Sequence, residues 1–133
     1  MSARVMCEGE WSGGELRCVE SGDWTPGRAK AALERLDGRR RTQVQFSVGA
    51  GRCMMVGGGA NRFSVIMSVD VDRALHTRVD PAKSDARGED LRIGGQLDCF
   101  PQSQNVSKDM ALAAIEHFYA EGEAAPGLTW LRS

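Results

Sequence analysis

Asp70-Val71-Asp72 places two carboxylates two residues apart. On an extended chain that spacing sets both on one side, about 7 Å from each other. Such a pair can hold a divalent cation or do acid–base work. His76 follows four residues later, and an imidazole beside carboxylates can serve as a general base. It then needs a nucleophile, for which Ser68 and Cys99 are the candidates. One reading is therefore a small hydrolase, or a small-ligand-binding module, built around Asp70, Asp72 and His76. The competing reading takes the same carboxylates as a solvated surface that meets a partner. No Gly-x-Ser-x-Gly elbow, no His-Glu-x-x-His helix and no His-x-Glu with Pro-Cys-x-x-Cys occurs in the sequence, so the signatures of serine hydrolases, zinc proteases and zinc deaminases are missing. The partner reading is the stronger, with no catalytic residue, no metal and no cofactor expected.

Most of the acidic residues after position 60 gather in one region: Asp70, Asp72, Asp80, Asp85, Glu89, Asp90 and Asp98, with Arg73 among them. A run of carboxylates can imitate the phosphates of a nucleic acid. The expected binding set is Asp70, Asp72, Arg73, Asp80, Asp85, Glu89 and Asp90, with Trp24, Phe63 and Arg73 as possible anchors, since aromatic and Arg anchors carry most of the affinity of an interface. The whole chain is nearly neutral, 17 Lys and Arg against 18 Asp and Glu, which argues against a nucleic-acid binder. Arg39-Arg40-Arg41 is the basic cluster, and it reads as a solvated turn after a helix, where positive charge suits the helix dipole.

Cys7, Cys18, Cys53 and Cys99 form no Cys-x-x-Cys pair and read as buried, reduced thiols. A zinc site joining them to His76 and His117 lacks the usual short ligand loops. Gly57-Gly58-Gly59 is followed by a strand pattern and by no Lys-Ser/Thr pair, so it reads as a hairpin turn and not as a phosphate loop.

The elements that must position these residues follow from patterning. Thr25 and Pro26 are an N-cap and a first helical residue, Ala29, Ala32, Leu33 and Leu36 make one apolar stripe, and Gly38 ends the helix. Val44, Phe46 and Val48 alternate; Cys53 to Val56 is a short apolar run; Phe63, Val65, Met67 and Val69 alternate again. These three strands predict an antiparallel meander. Residues 1–23 are an uncertain N-terminal segment with two short strands around Trp11 to Gly14. Asp70 to Glu89 reads as a long irregular stretch with a short strand at 74–79. A strand then runs from Leu91 to Phe100, bulged at Gly94-Gly95. Ser107 caps a last helix whose Met110, Ala111, Ala114, Ile115, Phe118 and Tyr119 share a face; Gly122 ends it, Pro126 prevents a restart, and Trp130 folds back. The expectation is one α+β domain over residues 1–133, a single antiparallel β-sheet of about four to six strands packed against an N-terminal and a C-terminal helix. No apolar stretch approaches the length of a membrane span and no signal peptide is visible, so the protein is expected in the cytoplasm, with no membrane partner.

Over the last helix the pattern becomes specific. Asn105-Val106-Ser107-Lys108-Asp109-Met110-Ala111-Leu112-Ala113-Ala114-Ile115-Glu116-His117-Phe118-Tyr119, then Gly122-Glu123, then Pro126-Gly127-Leu128-Thr129-Trp130, resembles the C-terminal signature of a family of bacterial immunity proteins. The family belongs to polymorphic toxin systems used in interbacterial competition and is commonly paired with deaminase-fold toxins. Val56-Gly57-Gly58-Gly59-Ala60-Asn61-Arg62 resembles its glycine-rich hairpin, and Ile93-Gly94-Gly95-Gln96 with Pro101 its later strand and proline loop. The similarity runs from about Thr25 onward and is weakest over 70–90. It implies an antitoxin that binds one cognate toxin, one to one, and occludes the active site of a nucleic-acid deaminase.

Overall fold

A computed structural model describes residues 4–12, 14–49, 52–59, 62–68, 75–83, 88–93, 96–122 and 124–132; for 11, 12, 16, 88–93, 96–102 and 132 it describes the backbone. The chain runs β1 (Arg4–Ser12), β2 (Glu15–Gly22), α1 (Pro26–Arg35), β3 (Gln43–Val48), β4 (Cys53–Gly59), β5 (Arg62–Ser68), β6 (Leu75–Arg78), β7 (Gly88–Ile93), β8 (Gln96–Pro101), a 3-10 turn at Gln102–Gln104, α2 (Lys108–Glu121) and β9 (Trp130–Arg132). The class is α+β. Seven strands form one antiparallel sheet in the order β2-β1-β3-β4-β5-β6-β9, and β7 and β8 form a separate two-stranded ribbon. The expected four to six strands are thus too few. The N-terminal segment contributes a full hairpin, and the three residues of β9 close the far edge.

Register decides which face each residue serves. Val44, Val56 and Val65 lie abreast, as do Phe46, Met54 and Met67, and all six are buried. Both helices lie on this face. Helix α1 adds Ala29, Ala32 and Leu33, and α2 adds Ala111, Ala114, Ile115 and Phe118. Their ends follow local chemistry: the Thr25 hydroxyl accepts from Arg28 N–H, Ser107 accepts from Met110 N–H, and Gly122 takes the left-handed turn that closes α2. Helix α1 stops earlier than expected, with Leu36 extended; Gly38, at φ 72°, belongs to the turn beyond it. There the Asp37 carboxylate accepts from the backbone N–H of Arg39, Arg40 and Arg41, so the basic cluster is wound around one acid.

Trp24 is completely buried. Its ring meets Phe46 at 4.8 Å and Tyr119 at 5.1 Å, and its Nε1 donates to Ser47 O at 3.0 Å. Phe63 is 2% exposed. Two of the three expected anchors, Trp24 and Phe63, are therefore core residues that no partner reaches, and the third, Arg73, lies outside the described residues. Trp24 alone removes about 150–250 Å² from water, worth about 4–6 kcal/mol as an upper bound.

The triple glycine is not a turn. Gly57, Gly58 and Gly59 lie within β4, and Gly59 pairs with Arg62, so the reversal falls after them. A Cβ on Gly59 would stand 2.5 Å from Gly38 N and 2.8 Å from Asp37 C. The glycine lets β4 touch the turn after α1, where Asp37 and Gly59 form a bridge. The strand expected from Leu91 to Phe100 is likewise two strands: Ile93 pairs with Gln96, and the chain reverses between them. Among the described residues no helix is long and apolar enough to cross a membrane.

Candidate functional site

Of the seven residues expected to bind a partner, Asp70, Asp72, Arg73 and Asp85 lie outside the described residues. Asp80 follows β6, and Glu89 and Asp90 occupy consecutive positions of β7, opposite Phe100 and Cys99. Successive strand positions belong to opposite faces of a ribbon, so Glu89 and Asp90 do not share one.

Asp80 is pinned at the junction between the sheet and the segment that follows. Its N–H donates to Ser103 O at 2.7 Å, its carboxylate accepts from Ala82 N–H at 3.0 Å, and its carbonyl accepts from Lys83 N–H. The chain therefore leaves the sheet at Asp80 and returns at Ser103, the two in direct hydrogen-bond contact. Between them runs the β7–β8 ribbon, whose β7 lies against β4. On the face of the sheet away from the helices, the paired Gly57 and Ser64 are both buried. The described residues between Asp80 and Ser103 thus form an arm with a closed base.

The base is clamped by the C-terminal signature. Val79 N–H donates to Thr129 O at 3.0 Å, and Arg78 stands opposite Trp130 across β6 and β9. Arg78 is 5% exposed, and its guanidinium donates to Val79 O at 2.7 Å and Thr129 O at 3.2 Å. Burial lowers its pKa below the ordinary arginine value, and the Asp80 carboxylate acts to restore it. Lys83 Nζ donates to Asn105 O at 2.8 Å. Val106 exchanges both backbone hydrogen bonds with Phe63, which ties the exit of the arm to β5. Trp130 folds back as expected, its Nε1 donating to Ala125 O at 3.1 Å and its ring perpendicular to His76 at 6.5 Å. Sequence reading missed Arg78, because an arginine between Thr77 and Val79 in a short strand looks solvent-facing until its opposite strand is known.

The hydrolase constellation does not assemble from Ser68 and His76. His76 pairs with Met67, so Ser68, one residue on, belongs to the opposite face of the sheet. Cys99 is described by backbone alone. The thiols also differ from expectation. Cys18 is exposed, while Cys7 and Cys53 are half-buried. Burial, the Cys18 hydrogen bond and the charges of Cys18, Glu20 and Glu8 push the Cys7 thiol up to about 11, and burial raises Cys53. Neither is a ready nucleophile.

A second charged cluster lies at the other end of the sheet. Arg35 meets Glu8 at 2.7 Å and Arg41 meets Glu10 at 3.6 Å, around a shallow cleft of about 190 Å³. All four side chains of these pairs balance one another, so the cleft presents no net charge to a ligand. Comparison with protein-family models, with curated proteins and with solved structures gives no match to this chain.

Proposed function

We propose that this chain is an immunity protein that binds a cognate bacterial toxin one to one and occludes its active site, the expected toxin being a nucleic-acid deaminase. The observation that carries the reading is the clamp. Asn105, Val106, Thr129 and Trp130, four residues of the signature that resembles the immunity family, hold the base of the acidic arm. The signature is scaffold, and residues 80–90, within the stretch where the resemblance is weakest, form the first half of the arm that the scaffold presents. That division suits a protein whose core is shared and whose contact surface is fitted to one partner. The arm bears Asp80, Asp85, Glu89, Asp90 and Asp98 against Lys83, Arg87 and Arg92, and this negative balance suits the basic groove of an enzyme that acts on nucleic acid.

The test uses the toxin domain encoded beside this gene, purified and assayed for deamination of single-stranded and duplex substrates. One molar equivalent of this protein abolishes turnover, and its expression protects cells that carry the toxin. Full turnover in the presence of excess protein would overturn the reading. Charge then separates surface from scaffold: the Asp70→Lys, Asp72→Lys, Glu89→Lys protein associates about ten-fold more slowly and loses its salt dependence. Unchanged association kinetics would remove those carboxylates from the interface.

A further inference from the structure

The main sheet has two edges of different character. One is β9, three residues long; the other is β2, eight residues long, and Glu15, Arg17, Cys18, Val19 and Glu20 in it are exposed. A long edge that no strand covers among the described residues, capped only at Gly22 O by the Arg28 guanidinium, is a template for another strand. Ser12 pairs with Glu15 across a two-residue reversal, which makes that pair hydrogen-bonded. Alternation then turns the N–H and C=O of Arg17, Val19 and Ser21 toward β1, and the Asp23 N–H bond to Arg4 O at 2.7 Å keeps the same phase. The N–H and C=O of Leu16, Cys18, Glu20 and Gly22 therefore point out of the sheet. Midway along this edge Val19 is 58% exposed, the most exposed large apolar side chain among the described residues. It borders the cleft between Glu8, Glu10, Arg35 and Arg41.

We propose that β2 is the docking edge for a second copy of this chain, which adds its own β2 antiparallel about a two-fold axis at Val19. In that register Leu16 faces Gly22 of the second copy and Cys18 faces its Glu20. Each of the four outward-facing residues thus meets another of the four, with Leu16 N–H of the second copy taking the place of the Arg28 guanidinium that donates to Gly22 O at 3.2 Å. The two Val19 side chains meet at a non-hydrogen-bonded position, where strands approach most closely, about 4.5 Å between Cα atoms. Apolar surface now exposed is then buried on both copies, beside the cleft that flanks it. Arg17 faces Ser21, so within the paired residues 16–22 no like charges stand directly opposite; Glu15 comes level with Asp23, which has left the strand conformation at φ 53°. Shifting the axis to Arg17 or Glu20 would oppose a charge to itself, and shifting it to Cys18 would set Gly22 against the turn at Gly14. Direct like-charge pairs across strands are destabilising, so charge and length select the Val19 register.

Sedimentation across a roughly hundred-fold concentration range reads the association. The expected mass rises from the 14.4 kDa of one chain to twice that value. Val19→Lys places two ammonium groups on the axis and holds the protein at one chain mass. Glu20→Pro removes an outward N–H without touching the bonds to β1 and does the same; at concentrations where the wild type is a single chain, both variants melt at its temperature. A Cys18→Ser, Val19→Cys protein oxidised with glutathione disulfide runs as a covalent dimer on a non-reducing gel. A wild-type protein that stays at 14.4 kDa throughout, variants that still dimerise, or a failure of the Val19→Cys cross-link overturns the proposal.

Discussion

Gly59 and Trp24 show how much single residues decide here. Alanine at Gly59 drives a methyl group into the backbone of Asp37 and Gly38 at a residue whose φ is 154°. Backbone cannot step aside as a side-chain tip can, so Gly59→Ala is expected to cost about 2–3 kcal/mol. That lowers the melting temperature by about 6–10 °C, read by thermal unfolding at constant pH. Trp24 answers to a different term. Trp24→Ala leaves a void between α1, β3 and α2 and costs about 3–5 kcal/mol. Trp24→Phe keeps most of the ring contact but leaves the Ser47 carbonyl without its indole donor, at about 1–2 kcal/mol. Urea titration that ranks Phe equal to Ala would place the cost in the hydrogen bond instead of the packing. Neither role was legible in the sequence. A glycine run reads as a turn because positive φ is a local property, whereas close approach depends on a segment some twenty residues away. Trp24 stands outside the helix it precedes, so no periodicity assigns it a face.

Elements were legible where their causes are local. Thr25, Pro26, Ser107 and Gly122 sit at helix ends because a hydroxyl, a ring or a missing Cβ acts within one turn of itself. The β3–β4–β5 meander was legible from alternation and short connections. The β6–β9 pairing was not, because nothing in four residues of one strand names three residues far along the chain. The turn after α1 carries a pH prediction. Burial works to raise the Asp37 pKa, but the N–H donors of Arg39, Arg41 and Arg40 outweigh it and the net direction is down. A folded pKa below the unfolded one means stability that is fully present above the ordinary aspartate value, about 3.9, and is lost as pH falls through the folded value. The melting-temperature gap between wild type and Asp37→Asn is therefore constant above about pH 5 and closes toward pH 2. A gap that stays open in acid would mean the asparagine fails for steric reasons. Arg78 tests the clamp in the same way. Arg78→Met keeps the buried stem but removes both donors to Val79 and Thr129, so amide exchange should quicken at 79–83 and 128–132 while β3 and β4 stay protected. Uniform acceleration across the sheet would show that Arg78 supports the whole fold and not the base of the arm.

At the scale of the molecule, core and arm are separable by construction. The acidic positions could be read from the sequence as a group, but not that most of them belong to an excursion whose ends touch, since the Asp80–Ser103 contact joins segments with no shared pattern. The contact has a consequence for folding. Closing a loop costs free energy that grows only slowly with its length, and here the ends are already held by Thr129, Ser103 and Asn105. Residues 84–101 can therefore be replaced by a short Gly-Ser-Gly bridge without pulling β6 or α2 from the sheet. The seven-stranded sheet should still melt cooperatively, a few degrees lower because β4 loses the cover of β7. The proposed partner should feel the opposite balance. A folded protein lacking the arm should no longer inhibit the toxin domain or protect cells that carry it, while any pairing through β2 is untouched, because that edge lies at the far side of the sheet order. Inhibition that survives the deletion would move the toxin contact off the arm and onto the remaining surface. A protein that unfolds on deletion would make the ribbon part of the core, against the closed base described by the Asp80 and Lys83 hydrogen bonds. Circular dichroism, thermal melting and the deamination assay on the same preparation separate the three results.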